Sequence, residues 1–404
     1  MSFRKILFWS HLVAGIGAGL VILMLAITGV LLTYEVQITR WAESGLNVSA
    51  AGEPLPADRL AEAALIETGG AASALIFEND AQAAVIAASG RSDKAFLDPY
   101  TGELLASNKT ATQEFFATVT SLHRWLSFSG RSETGAALVG AANLFFGFLL
   151  LSGAYLWLPR IWKWGMLKTK MLFRRSYPNA KARDFAWHHV FGFWAAIPLF
   201  LIILSGVVIS YDWASNLVFA AYGEQPAMRG ASGGQGQGQG KGGGRGLGMG
   251  RLGGGGGHED HESEGGALAL APGSLALQAV LETAEAYDPD WNRITLDLPK
   301  HAGATETTAI VDTGTGKQLS RQETLTVSLE TGEVVKTAGL ADRSPGAQAR
   351  MWLRFVHTGE VYGVIGQTIA GLASLASVFM VYTGLALSYR RLIQPLFRRR
   401  KAVT

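Results

Sequence analysis

Four long apolar stretches constrain this chain more than any other feature of its sequence. They cover residues 6–34, 136–158, 185–211 and 365–387, and none of them contains a lysine or an arginine. A helix needs about 20 apolar residues to cross the hydrocarbon core of a bilayer. Because 48% of the 404 residues are also hydrophobic, the stretches predict a membrane protein with four transmembrane helices.

Lysine and arginine collect in three short segments, which lie before the first stretch, between the second and third, and after the fourth. Positive charge in short flanking segments marks the cytoplasmic side of a membrane protein. We therefore predict an inner-membrane protein with both termini in the cytoplasm and with residues 35–135 and 212–350 in the periplasm. The first stretch is about twice as long as a signal-peptide core, so it is interpreted as an uncleaved anchor. The net charge of +3 then reflects topology and not nucleic-acid binding.

The apolar stretches are duplicated. The first contains "HLVAGIGAGLVILMLAITG" and the third "HHVFGFWAAIPLFLIILSG", with glycines four and eighteen residues after the first histidine of each. The second and fourth stretches align without a gap, and three glycine pairs match. These pairs are Gly135 with Gly366, Gly140 with Gly371, and Gly153 with Gly384. The sequence therefore predicts two copies of one unit.

The segments between the stretches repeat as well. "FLDPYTGELLAS" and "VSLETGEVVKT" each read as a hairpin built on Thr-Gly-Glu, and a helical pattern precedes each one, with Asp58 and Ser274 as expected caps. Each segment is therefore predicted to form a small helix-plus-sheet domain. The second segment carries a glycine-rich insertion, residues 229–266, that cannot bury a core. Its literal GxGxxG has no flanking strand or helix, so it carries no nucleotide-site prediction.

Five of the eight histidines lie at the ends of the apolar stretches: His11, His123, His188, His189 and His357. His258 and His261 fall in the glycine-rich insertion and are expected to be solvated, and His301 carries no signal. A haem iron takes one imidazole from each side of the porphyrin, and both ligands must come from the same side of the membrane. The topology therefore predicts a cytoplasmic pair, His11 with His188, and an outer pair, His123 with His357.

Two details of the haem prediction stay open. His189 competes with His188, although the glycine spacing favours His188, and neighbouring helix positions point about 100° apart, so both cannot face one iron. Arg124, Arg350 and Arg354 either meet haem propionates or anchor the chain at the membrane interface. Because the chain has no cysteine, CxxCH attachment is excluded and two non-covalent haem b groups are predicted.

The motifs "SHLVAG…LAITG", "LHRWL", "WHHVFGFW…ILSG" and "VHTGEVYGVIGQ", with the two Thr-Gly-Glu hairpins, resemble the PepSY-associated transmembrane proteins. Within that family they are most similar to the inner-membrane ferric-siderophore reductases of the ferrioxamine type. The resemblance covers nearly the whole chain except the glycine-rich insertion. It implies four membrane spans, two periplasmic PepSY-type domains, two b-type haems, and electron transfer to iron held by an imported chelator.

The predicted fold class is an α-helical membrane protein with four transmembrane helices in a two-fold internal repeat, plus two periplasmic α+β PepSY-type domains. The predicted segments are transmembrane helix 1 (1–34), PepSY-type domain 1 (35–122), the outer haem segment with helix 2 (123–160), a basic cytoplasmic loop (161–184), helix 3 (185–211), PepSY-type domain 2 with the insertion (212–350), the second outer haem segment with helix 4 (351–389), and a basic cytoplasmic tail (390–404).

The predicted function is a di-haem b reductase that passes electrons to a periplasmic acceptor, expected to be a ferric siderophore. No catalytic side chain is predicted beyond the haem ligands. No flavin or nicotinamide domain is evident, so the electron donor is expected to be a quinol or a cytoplasmic reductase. Membrane lipid is the other expected partner, and no nucleic acid is expected. The alternatives are a non-catalytic membrane module that binds periplasmic peptides or restrains a protease, and a reductase of another periplasmic substrate.

Overall fold

The structure is a computed structural model that describes residues 2–43, 46, 48, 52–89, 93–107, 111–159, 163–225, 277–299, 303–314 and 318–395. The glycine-rich insertion, Ser274, His258, His261 and His301 lie outside these residues. The chain divides into two compact units. The helical unit comprises residues 1–35, 115–224 and 345–404, and the sheet unit comprises residues 36–114 and 225–344.

The helices are α1 (Phe3–Leu32), α2 (Glu35–Glu43), α3 (Ala57–Glu67), α4 (Ala111–Trp125), α5 (Glu133–Trp157), α6 (Trp164–Met171), α7 (Ala180–Ser210), α8 (Asp212–Ala221), α9 (Leu277–Tyr287), α10 (Pro345–Thr358) and α11 (Gly363–Leu392). The strands are β1 (Ala72–Glu78), β2 (Val85–Ser89), β3 (Asp93–Leu97), β4 (Leu104–Ser107), β5 (Arg293–Asp297), β6 (Glu306–Asp312), β7 (Gln322–Ser328) and β8 (Val334–Ala338).

Within the described residues, four helices are long and apolar enough to cross a membrane: α1, α5, α7 and the stretch Glu360–Leu392, which contains α11. Each begins a few residues earlier than its predicted apolar stretch, and the first three end one or two residues before their stretches do. Side-chain caps explain two of these starts, because Ser132 accepts a hydrogen bond from the Gly135 N–H and Asn179 accepts one from the Ala182 N–H. The caps satisfy backbone donors that would otherwise lack partners at the helix ends.

The four membrane helices pack as a bundle in which α1 contacts α5 and α11, and α7 contacts the same two helices. Helices α1 and α7 therefore lie diagonally opposite each other. Ile22 packs with Ala142 on the α1 side, and Leu199 and Ile203 pack with Ala373 on the α7 side. Ala142 of α5 and Ala373 of α11 are small and leave room for these larger side chains in the bundle interior.

The sheet unit contains one antiparallel sheet with the strand order β4-β3-β2-β1-β5-β6-β7-β8. Strands β1 to β4 come from the first predicted domain and β5 to β8 from the second, and β1 pairs directly with β5 over residues 74–78. We predicted two small domains, but the structure joins the two segments in a single unit. The pairing satisfies backbone groups that β1 and β5 would otherwise expose as sheet edges.

A common hydrophobic core confirms that the two segments form one structural unit. Helices α3 and α9 lie on the same face of the sheet, and their buried residues pack with alternate residues of the strands, as a pleated sheet requires. The core includes Leu60 and Leu75 from the first segment and Leu281, Leu296 and Leu325 from the second.

The N-termini of α3 and α9 cap each other. Asp58 of α3 accepts hydrogen bonds from the Leu277 and Gln278 N–H groups of α9, and the Gln278 side chain accepts one from the Ala57 N–H of α3. We predicted that Asp58 caps its own helix, and this was wrong, because the N-cap position of α3 is Pro56. The reciprocal caps tie the two segments together, as does the ion pair between Glu78 and Arg293.

Both predicted hairpins are present, as β3–β4 and β7–β8. Their turns contain Gly102 and Gly332 with φ of +75° and +70°, a conformation that favours glycine. The two turns close with equivalent backbone hydrogen bonds, from Asp98 to Glu103 and from Ser328 to Glu333. The Thr-Gly-Glu sequence therefore occurs in both copies because both turns have the same local backbone structure.

Candidate functional site

The structure brings four of the five predicted histidines together in two pairs within the helical unit. In the first histidine pair, His11 of α1 and His188 of α7 have ring centres 6.5 Å apart. In the second histidine pair, His123 of α4 and His357 of α10 have ring centres 6.3 Å apart. These are the two pairings that the sequence topology predicted.

The rings of the first histidine pair are held by hydroxyl groups from neighbouring helices. Nδ1 of His11 lies 2.8 Å from Oγ of Ser152 on α5. Nδ1 of His188 lies 3.0 Å from Oγ1 of Thr383 on α11 and 3.1 Å from the carbonyl oxygen of Met380. The two ligand candidates therefore extend from diagonal helices, and the two helices between them hold the rings.

The second histidine pair repeats this arrangement with the helix roles exchanged. Nδ1 of His123 lies 2.8 Å from Oγ1 of Thr28 on α1. Nδ1 of His357 lies 3.3 Å from Oγ of Ser205 on α7 and 2.9 Å from the carbonyl oxygen of Ile202. Helices α1 and α7 therefore each carry one histidine of the first pair and hold one histidine of the second.

A glycine follows each of the four hydroxyl residues and faces the same ring. A Cβ atom would lie 3.2 Å from Cε1 of His11 at Gly153, and 3.4 Å from Cε1 of His188 at Gly384. At the second pair, a Cβ atom would lie 3.7 Å from His123 at Gly29 and 3.2 Å from His357 at Gly206. Glycine at these positions gives each ring room to lie against the helix backbone.

The glycines align in the duplicated sequence, but the role of the hydroxyl residues before them was not predicted. The signal was present as four Ser-Gly or Thr-Gly dipeptides in the four apolar stretches. Small residues in membrane helices usually allow close helix packing. Because close packing already accounts for a Ser-Gly or Thr-Gly dipeptide, its contact with a histidine ring was not predicted. The contact becomes visible only when the facing helix is known.

His189 has a different environment from His188. Its Nδ1 lies 2.8 Å from the carbonyl oxygen of Phe185 in its own helix, and its ring packs on the Phe185 ring with centres 4.2 Å apart. Its ring centre is also 6.5 Å from that of His188, but the two residues are adjacent in the same helix. The partner of His188 across the bundle is His11.

The second histidine pair lies in helices outside the four candidate spans, where burial lowers the pKa of both rings and so favours their neutral form. Loss of hydration, together with the neighbouring His357 ring, lowers the pKa of His123 to about 4. Loss of hydration also lowers the pKa of His357, against the effect of its hydrogen bond to Ile202. Neutral imidazole is the form that binds a metal ion.

Arginine side chains add positive charge beside the second histidine pair. Partial burial, and repulsion from Arg354 and Arg131, lower the pKa of Arg124, which follows His123 in the chain. The Arg124 guanidinium lies over the Trp125 ring, 4.7 Å from its centre, and Nε of Arg350 donates to Oγ of Ser215. The structure thus gives Arg124 and Arg350 aromatic and hydroxyl partners, and their predicted role toward haem propionates stays a prediction.

A buried carboxylate lies one helical turn before His188. Asp184 is fully buried and forms ion pairs with Arg183 of its own helix and Arg390 of α11. Because Thr383 is also on α11, this ion pair links the helix that carries His188 to the helix that holds its ring.

The spacing of both pairs fits two axial ligands of one metal ion. Imidazoles that bind a metal from opposite sides through bonds of about 2 Å have ring centres about 6 to 6.5 Å apart. Among the residues that the structure describes, no cluster of three or more His, Asp or Glu side chains could hold a metal ion. A haem needs only two axial protein ligands, which is the number of histidines in each pair.

Comparison with known proteins identifies one family. The family model described as the PepSY-associated TM region matches residues 8–391, which is nearly the whole chain. No curated protein matches the chain significantly.

Proposed function

We propose, from the premise that this chain belongs to the PepSY-associated transmembrane family, that it is an inner-membrane oxidoreductase with two haem b groups. In this proposal the protein passes electrons across the membrane to a periplasmic acceptor, and ferric iron held by a siderophore is the preferred acceptor. The electrons come from a quinol or from a cytoplasmic reductase.

The observation that carries the proposal is the pair of facing histidines at each of two places in one helical bundle. The first histidine pair would hold one haem and the second pair the other, with His188 as the ligand in preference to His189. When bound, haem supplies one-electron chemistry, and its axial ligands tune the reduction potential. A non-catalytic peptide-binding module has no need for two partly buried histidine pairs with ligand spacing.

The bundle residues position the two pairs and exclude water from the space between them. His11 and Thr28 are 17 residues apart on α1, a rise of about 26 Å. His188 and Ser205 have the same separation on α7. The interior between them is filled by buried apolar side chains, including Ile22 and Leu199. The pairs therefore lie toward opposite ends of the membrane helices, as electron transfer across a membrane requires.

The basic segments support the direction of transfer. Lysine and arginine next to His11 and His188 assign the first histidine pair to the cytoplasmic side, where a donor is available. The second pair is then periplasmic. Reporter fusions after residues 90 and 314 should be active only as periplasmic reporters, and cytoplasmic activity at either position would contradict this orientation.

Ferric siderophores suit this arrangement because their reduction needs an electron and no acid, base or nucleophile. One electron converts Fe³⁺ to Fe²⁺, and the donor replaces that electron in the protein. Hard oxygen ligands hold ferrous iron less tightly than ferric iron, so reduction releases the metal without cleavage of the chelator.

The experiment mixes chemically reduced protein in detergent with ferrioxamine and with ferrozine as the ferrous trap. We expect the protein to be reoxidised while the ferrous complex forms at a matching rate. His357→Ala should slow the reaction even where the first haem remains, and His301→Ala serves as the matched histidine control. If the reduced protein ignores every ferric chelate tested but another acceptor oxidises it, the siderophore assignment is wrong and the reductase assignment survives.

A further inference from the structure

We infer that the residues Thr28, Ser152, Ser205 and Thr383 are positioning residues, which fix each histidine with a proton on Nδ1 and leave Nε2 free to bind iron. The inference rests on the proposed function, because it concerns how the chain prepares its haem ligands. It assigns a role to side chains that do not themselves touch the haem iron.

The hydrogen atom of each hydroxyl group already has an acceptor within its own helix. Beside the first histidine pair, the Ser152 hydroxyl donates to the carbonyl oxygen of Phe148 at 2.6 Å, and the Thr383 hydroxyl donates to that of Phe379 at 2.7 Å. Both acceptors lie four residues earlier in the same helix. Since a hydroxyl has one hydrogen, its oxygen is left to accept a hydrogen bond from the histidine ring.

The hydroxyl residues beside the second histidine pair make the same hydrogen bond to a carbonyl four residues earlier. Thr28 donates to the carbonyl oxygen of Met24 at 2.8 Å, and Ser205 donates to that of Leu201 at 2.7 Å. All four hydroxyl residues are at most 4% exposed, so water does not compete for these hydrogens. The direction of the histidine contact is therefore the same in all four cases, from Nδ1–H to the hydroxyl oxygen.

Carbonyl groups support this direction independently at two of the rings. Nδ1 of His188 lies 3.1 Å from the Met380 carbonyl oxygen, and Nδ1 of His357 lies 2.9 Å from the Ile202 carbonyl oxygen. A carbonyl oxygen only accepts hydrogen bonds, so Nδ1 carries the proton in both rings. A neutral imidazole has one N–H, which leaves a lone pair on Nε2.

A second-shell acceptor of this kind has two effects on a metal-binding histidine. It fixes the tautomer and orientation of the ring, and it makes Nε2 a more basic ligand. The glycine after each hydroxyl residue allows the ring to approach the helix closely enough for the bond. The dipeptide Ser-Gly or Thr-Gly therefore acts as one holder, which supplies an acceptor and the space beside it.

The position of the Nδ1 acceptor also distinguishes the adjacent residues His188 and His189. His188 is held across the bundle by Thr383, whereas Nδ1 of His189 contacts the Phe185 carbonyl oxygen within its own helix. A contact within one helix does not set the position of a ring relative to a facing ligand. The geometry therefore points to His188 as the ligand.

The test removes single hydroxyl groups and measures haem binding by titration of haem into the full-length apoprotein, with the midpoint potential of each haem as a second readout. Ser152 is the acceptor that the structure gives His11, so Ser152→Ala should weaken haem binding at the first site about 10- to 100-fold. Thr383→Val should have a smaller effect, because His188 keeps the Met380 carbonyl. The second site should be unchanged in both variants.

Conservative variants and a matched control keep the test independent of folding defects. Ser152→Thr and Thr383→Ser keep the hydroxyl and should restore affinity and potential. Ser377→Ala is the control, because Ser377 is buried on α11 and makes the same bond to a carbonyl four residues earlier, at 3.1 Å. It should leave both haem sites unchanged.

The outcomes distinguish this inference from the proposed function. If Ser152→Ala matches Ser377→Ala in affinity and potential, the positioning role is wrong while the haem assignment stands. If both Ser152→Ala and Ser152→Thr lose haem equally, the hydroxyl is not the cause and the inference also fails. If the wild-type chain binds no haem, the proposed function itself is wrong.

Discussion

The two histidine pairs have the same ring contacts but different supports. The histidines of the first pair belong to α1 and α7, which are themselves candidate membrane spans of 30 and 31 residues. Those of the second pair belong to α4 and α10, short helices of 15 and 14 residues. In both pairs the hydroxyl residue beside each ring lies on a long membrane helix, whereas the histidine itself can come from a short helix beside the bundle.

This difference makes the second histidine pair depend on additional contacts. Helix α10 packs against α7 and α8. The Gly346 N–H donates to the Glu224 side chain, and Nε of Arg350 donates to Oγ of Ser215 on α8. The first pair depends on the register of long helices and on the Asp184–Arg390 ion pair between α7 and α11. We therefore expect distinct sets of substitutions to weaken the two haem sites.

The largest expected effect is the loss of one haem from each pair separately. His11→Ala and His188→Ala should each lower the haem content from about two to about one per chain by removing the same haem, because one axial ligand is lost. His123→Ala and His357→Ala should each remove the other haem. Haem content and redox spectra of the purified variants provide the measurement. If His188→Ala keeps both haems while His189→Ala loses one, the choice between the neighbours is wrong.

A smaller effect is expected from the buried carboxylate beside the first histidine pair. Asp184→Asn leaves Arg183 and Arg390 without their counter-charge and should destabilise the helical unit by about 3 kcal/mol, the lower end for a broken buried pair, because both arginines are partly exposed. Thermal unfolding followed by haem absorbance should show that the first site is lost before the second. Glu62→Gln breaks an exposed ion pair with Arg59 and is the control, with an expected change below about 1 kcal/mol. Simultaneous loss of both haems would contradict a separate support for the first pair.

Adding a methyl group beside His11 should weaken the first site by a smaller amount. At Gly153 the new Cβ lies 3.2 Å from Cε1 of His11, which is closer than an ordinary contact, so the ring must shift. We expect about tenfold weaker haem binding, or about 1.4 kcal/mol, in a haem titration of Gly153→Ala. Gly17→Ala is the matched control on α1, because its Cβ has no neighbour within 4 Å. Equal affinities for the two variants would show that the glycine is not needed for the ring.

The smallest expected effect tests the support of the second histidine pair. Ser215→Ala removes the hydroxyl that accepts a hydrogen bond from Nε of Arg350 and should cost about 0.5–1.5 kcal/mol at this contact. Haem retention during dilution should therefore fall at the second site and stay unchanged at the first. An equal loss at both sites would mean that the two pairs share one support, and the comparison between them would not hold.

Local features were predictable from the sequence. The four membrane helices follow from their apolar length, and the hairpins follow from the Thr-Gly-Glu turns, because each depends on residues close together in the chain. The histidine pairing was also predictable, because membrane topology limits which residues can meet.

Features that depend on distant contacts were not predictable. The pairing of β1 with β5 joins residues more than 200 positions apart, such as Ile76 and Thr295, and both strands would have served equally well as edges of separate domains. The cap that Asp58 provides for α9 escaped prediction for the same reason. The histidine contacts of the four hydroxyl residues could not be predicted, because the duplication alone does not identify the helix that faces each histidine.

The most direct test of the central claim is the haem-to-chain ratio of the purified full-length protein, measured with its visible spectrum before and after reduction by dithionite. We predict two non-covalent haems per chain, extractable by acid acetone because the chain has no cysteine, with the absorption of low-spin, doubly imidazole-ligated iron. A colourless protein, or a protein whose haem content is unaffected when both His11 and His123 are replaced by alanine, would contradict the account.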